Sequence, residues 1–192
     1  MMRVGKPDER SNLIELDLRD LSQLFNSMDP SPFHEKDLDH DAEEFILSWA
    51  DELHSDEELK ILIHLADPPV HEAERKRVGE AVRHYFGYRA HINELEFKRL
   101  MKQGRLSLMI GSVFLGGCLL VAEWLSLKGT GAWGRILRES LTIGGWVAMW
   151  RPIQIYLYDW WPLKRRGRIL RRLAEASVEL VKRRGRPVPG GG

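Results

Sequence analysis

Residues 106–127, LSLMIGSVFLGGCLLVAEWLSL, hold a single charge, Glu123, in twenty-two positions. At about 1.5 Å per residue a helix of that length covers the roughly 30 Å hydrocarbon core of a bilayer, and a buried helix of a soluble protein is rarely so long without a polar face. The run is read as a transmembrane helix, and the rest of the chain is fitted around it.

A second apolar segment, SLTIGGWVAMW, is cut short by Arg151 and Pro152 and then resumes as IQIYLYDWW. Taken through the interruption, 138–161 is long enough to span. The glycine-rich KGTGAWGR between the two segments is a tight turn, so the expected membrane region is an antiparallel two-helix hairpin over 105–162, with spans at about 106–127 and 138–161.

Charge orients it. Up to Arg105 there are 23 Asp and Glu against 15 Lys and Arg; the remainder carries 5 against 14. Lys98, Arg99, Lys102 and Arg105 precede the first segment, and Lys164, Arg165, Arg166, Arg168, Arg171 and Arg172 follow the second. The positive-inside bias then places both termini in the cytoplasm. Tyr156, Tyr158, Trp160 and Trp161 form the interfacial aromatic belt, and the basic residues beyond it face anionic lipids of the cytoplasmic leaflet. No signal peptide is visible in MMRVGKPDERSN.

An ionised Arg151 inside a span costs at least about 2.5 kcal/mol without a partner. Three readings stay open. Arg151 pairs with an acid, for which Glu123, Glu139 and Asp159 are the candidates, Asp159 or a neighbouring subunit being better placed in depth than Glu123. Alternatively the span ends near Trp150 and the aromatic stretch lies in the interface, or Arg151 lines a conduction path. Ser112 and Gly116 on the first segment, and Ser140, Gly144 and Ala148 on the second, recur every fourth residue, the small-xxx-small spacing that lets membrane helices approach.

Ahead of the membrane region, Ile14, Leu16 and Leu18 alternate with polar residues, as do Leu59, Ile61, Ile63 and Leu65, and both stretches are expected to be strands. Asp41 with Glu44 suggests a helix cap before Phe45, Ile46, Trp49 and Leu53. After Pro69 a helical pattern runs without a breaker toward the first span. The expectation is an acidic α+β cytoplasmic domain over 12–104, β-α-β followed by a long helix, preceded by a flexible 1–11. A basic helix and disordered tail follow over 163–192, with Ile169, Leu173, Ala176 and Leu180 on one helical stripe. A two-stranded sheet is thin, which suggests strand edges pairing between subunits.

Enzyme chemistry finds little footing. HEKDLDHDAEE sets His34 and His40 among acids, but a zinc-protease helix needs a histidine where Leu38 stands, and the pair His71 and Glu72 is followed by Arg75. His84 and His91 share a helix face without a third ligand. Cys118 is the lone cysteine and lies in the apolar run, where a packing role suffices. No catalytic, cofactor or metal site and no nucleic-acid partner is expected.

The runs GGWVAMWRPIQIYLYDWWPLKRR and MDPSPFHEKDLDHDAEEFI resemble a family of uncharacterised small bacterial two-span inner-membrane proteins, over roughly 12–172. That resemblance implies an inner-membrane protein and no activity. The functional expectation is a non-enzymatic, homo-oligomeric membrane scaffold or adaptor presenting its cytoplasmic domain to a protein partner; the alternative is an oligomeric channel or transport subunit with Arg151 in the bundle.

Overall fold

A computed structural model describes residues 12–26, 28–30, 32, 36–53, 58–129 and 131–183. The N-terminal 1–11, the glycine-rich end and His34 lie outside them. The chain divides into two units, one formed by residues up to Ile92 together with those from Gly167 onward, the other by Asn93–Arg166.

The first unit is built on a parallel sheet. Strand β1, Leu13–Leu18, buries Ile14, Leu16 and Leu18 and turns Glu15 outward. Helix α1, His40–Glu52, begins at Asp39, whose carboxylate accepts from the Asp41 amide at 3.1 Å, so the cap lies two residues before the one expected. Strand β2, Lys60–Leu65, pairs with β1 in the register Ile14–Ile61, Leu16–Ile63 and Leu18–Leu65. The third strand, β3, Ser177–Lys182, comes from the far end of the chain and pairs with the other edge of β2, Ile61 to Val178 and Ile63 to Leu180.

Both steps across the sheet, β1 to β2 and β2 to β3, run in one direction. Right-handed crossovers therefore place the connecting helices on a single face. The burial agrees: Ile14, Leu16, Ile61, Ile63 and Leu180 pack against Ala42 and Ile46 of α1, Val78, Val82 and Phe86 of α2, and Leu170 and Leu173 of α5, while Glu15 and Glu179 on the opposite face are exposed.

Helix α2, Glu72–Leu127, runs through 56 residues and belongs to both units. In the second unit its residues from Asn93 onward meet a returning arm made of α3, Ala132–Ala148, the short α4, Trp150–Gln154, a π-turn, Ile155–Asp159, and α5, Trp160–Glu175. The two run antiparallel. Asn93 Nδ2 donates to the Leu163 carbonyl at 2.9 Å; Gly104 lies against Ile155 and Tyr156, Gly111 against Ala148 and Met149, and Gly145 against Leu115 and Cys118.

Two expectations are corrected here. Among the described residues α2 is the one helix long and apolar enough to cross a membrane. The expected second helix over 138–161 is interrupted, so the region is not a hairpin of two transmembrane helices. Its physical cause is local: Pro152 has no amide to offer the Ala148 carbonyl and its ring crowds it, so α3 stops at Ala148 and the Met149 amide turns back to Trp146 at 3.0 Å. The π-turn breaks the ladder again.

The second correction concerns the sheet. It has three strands, and the partner for the open edge of β2 is the chain's own C-terminal segment, where a continuous basic helix was expected. Helix α5 stops at Glu175, and the supposed stripe is divided, Ile169 and Leu173 on the helix and Leu180 on the strand.

Candidate functional site

The second unit carries a surface unlike that of the first. Along α2, Met109, Ile110, Val113, Phe114, Leu120 and Trp124 are each more than half exposed, Val113 at 73% and Leu120 at 74%. The returning arm adds Trp133, Ile143, Trp146, Val147, Trp150, Leu157 and Trp161. Only 17% of the most apolar eighteen-residue window of α2 is buried. Contiguous apolar surface on this scale marks contact with lipid or with another protein.

Beyond Asn93, what α2 buries is narrow and made of small residues. Gly104, Gly111 and Cys118 stand seven apart, Ala122 follows Cys118 by four, and the half-buried Leu115 follows Gly111 by four. A seven-residue repeat keeps one seam facing a partner helix. At Gly111 an added Cβ would stand 3.1 Å from the Ala148 carbonyl oxygen, the acceptor that Pro152 leaves without a helical donor. Glycine thus lets α2 close on the break in the opposite arm. Of the small residues expected to pack, Ala148 lies at this seam. Ser112 and Ser140 are exposed, and a Cβ on Gly116 or Gly144 would meet nothing within 4 Å.

Arg151 is paired within its own chain. Its Nη1 stands 3.3 Å from Asp159 Oδ2, with the arginine side chain half exposed. In an α-helix, residues eight apart diverge by about 80° at about 100° per residue; the extra residue of the π-turn returns Asp159 to the face of Arg151. Glu123 and Glu139 are exposed and make no ion pair with a described residue. Of the residues expected to form an aromatic belt, Trp160 donates from Nε1 to the Tyr156 carbonyl at 2.7 Å and has Lys164 over its ring, and Tyr158 and Trp161 are exposed.

The basic residues divide between the units. Lys164, Arg165 and Arg166 belong to the second; Arg168, Arg171 and Arg172 belong to the first, where Arg172 donates to the Leu53 carbonyl at the end of α1 at 3.0 Å. Arg172 is thus a tie between helices, and Arg168 and Arg171 are exposed on a helix packed against the sheet.

The first unit holds a buried polar cluster that the sequence did not single out. Glu43, 7% exposed, accepts from the Tyr85 hydroxyl at 2.7 Å and from Arg89 Nε at 2.9 Å. Burial, and then the hydrogen bond to that carboxylate, push the Tyr85 phenol well above its ordinary range. Only the spacing of Tyr85 and Arg89, four apart on one helix face, hinted at a shared partner.

Among the described residues no group of three or more His, Cys, Asp or Glu is placed to hold a metal. His40, His84 and His91 are exposed. A shallow hollow lined by Val70, Arg75, Lys76 and Glu179 lies in the first unit, where Arg75 Nε is already engaged by the Pro69 carbonyl at 2.8 Å. Compared with protein-family models, with curated proteins and with solved structures, the chain matches none.

Proposed function

We propose that the chain is a membrane-embedded scaffold or adaptor: the apolar half of α2 enters the bilayer, the returning arm is held against it, and the α/β unit is presented to a protein partner in the bacterial cytoplasm. The observation that carries this reading is the apolar surface of α2, exposed at Val113, Leu120 and their neighbours over the length of a hydrocarbon core. Lipid is the surrounding in which that surface costs nothing.

The antiparallel register supports a consistent depth. Gly104 faces Ile155 and Gly111 faces Ala148, so Arg151 lies near the level of residue 108, about one turn from Arg105. If hydrocarbon begins at Leu106, the guanidinium is shallow and reaches the headgroups, with Asp159 beside it. This favours an interfacial arginine over a pore-lining one. Gly116, Gly117 and Gly144, left open by the intrachain seam, give a second copy a place of close approach and support a homo-oligomer.

The test compares the full chain with Val113→Lys/Leu120→Lys in an alkaline carbonate wash of bacterial membranes. A lysine at mid-span disfavours insertion by about 2.5–3.5 kcal/mol. Wild type is expected in the washed membrane and the double variant largely outside it. Wild type released by carbonate, or a variant retained equally, would overturn the reading.

A further inference from the structure

In the sequence, the basic clusters at 98–105 and 164–166 are some sixty residues apart, one on each side of the apolar segments. The antiparallel pairing brings them to one end of the second unit. Asn93 is bonded to Leu163 and Gly104 lies against Ile155 and Tyr156, so residues 93–104 of α2 run beside 155–163 of the other arm. Arg99, Lys102 and Arg105 are therefore level with the stretch from Ile155 to Trp160, and Lys164 and Arg166, past Leu163, stand about 10 Å or more beyond Arg99 on the side away from Leu106. All five cations are exposed.

The neighbouring acids are mostly taken. Glu94 is paired with Lys98 at 2.6 Å, and Asp159 with Arg151, which leaves Glu96 against five cations. From Arg99 to Arg105 the rise along α2 is about 9 Å, comparable with the depth of a headgroup layer, and Leu106 begins the apolar run immediately beyond. Aromatic rings with one polar edge occupy the same level, as they do at membrane interfaces.

We infer that Arg99, Lys102 and Arg105 of α2, with Lys164 and Arg166 of α5, form a two-armed collar that binds the phosphate headgroups of anionic phospholipids. This rests on the membrane reading. It also shifts the lipid contact away from Arg168, Arg171 and Arg172, which belong to the first unit. The two arms together present donors to anionic headgroups over a greater depth than either cluster offers alone.

The experiment reconstitutes the full chain in phosphatidylcholine vesicles and measures its association with spin-labelled phosphatidylglycerol relative to spin-labelled phosphatidylcholine. Wild type is expected to prefer the anionic lipid by on the order of fivefold or more, what one cation contributes near an anionic surface. Arg99→Gln/Lys102→Gln/Arg105→Gln and Lys164→Gln/Arg166→Gln should each lower that preference, whereas Arg168→Gln/Arg171→Gln should keep it. Equal association of the two lipids with wild type, or loss of preference only in the Arg168 and Arg171 variant, overturns the collar and leaves the membrane reading standing. A chain that enters vesicles of neither composition overturns both.

Discussion

Glu43 shows how much one residue organises in the first unit. It joins α1 to two successive turns of α2 through Tyr85 and Arg89, and its burial makes those donors necessary. The raised Tyr85 phenol sets the sign of an alkaline effect. The folded protein keeps the proton more tightly than the unfolded chain, so this contribution is intact below the ordinary tyrosine value of 10.0 and is lost as pH climbs from there toward the folded value. Stability measured by thermal unfolding should therefore fall above pH 10 more steeply in wild type than in Tyr85→Phe; parallel curves would count against the bond. At neutral pH the same variant should be less stable by about 1 kcal/mol, the usual net worth of one hydrogen bond. Arg151 and Asp159 are the other instructive pair, because the sequence supplied three acids and the π-turn selected one of them.

Between elements, the seam of α2 with the returning arm depends on the absence of side chains. Gly111→Val should drive Cβ and its methyls into the Ala148 carbonyl and Met149, a crowding that costs typically about 1–3 kcal/mol, whereas Gly116→Val enters open space. Unfolding of the full chain held monomeric in dilute detergent, where the proposed contact of Gly116 with a second copy is not made, should show by tryptophan fluorescence a lower midpoint for the first variant and little change for the second. The opposite order would mean that the arms pack on other faces. The sequence made part of this legible. The alternation at Ile14, Leu16 and Leu18 and at Ile61 and Ile63 identifies strands because burial of one face leaves no other period. Spacing by four points to Gly116 and Gly144, while the pairing uses spacing by seven, Gly104, Gly111 and Cys118. The second span was overextended because composition counts apolar residues but not the carbonyl that a proline orphans. For the last strand, Ala176 and Leu180 fit both a helical step of four and an even strand step, so periodicity alone could not separate them. The empty edge of β2 decides it.

Across the whole chain, the sheet is completed only after the second unit has been traversed, since β1 and β2 precede Asn93 and β3 follows Arg166. The first unit therefore depends on its C-terminal strand. Leu180→Asp, which puts a charge where a 6%-exposed leucine faces the core, should strip hydrogen-exchange protection from the β2 amides, and undiminished protection would mean that β3 is dispensable. The same chain presents an apolar surface along α2, for which lipid is the surrounding proposed above. That proposal is tested most directly by a spin label at Val113→Cys in a Cys118→Ala background, reconstituted in vesicles, with the label's collision rates measured for oxygen and for a water-soluble nickel complex. Oxygen should dominate at this site, and a label at His91→Cys should favour nickel. A Val113 site as open to nickel as the His91 site would place this face of α2 in water and overturn the membrane proposal.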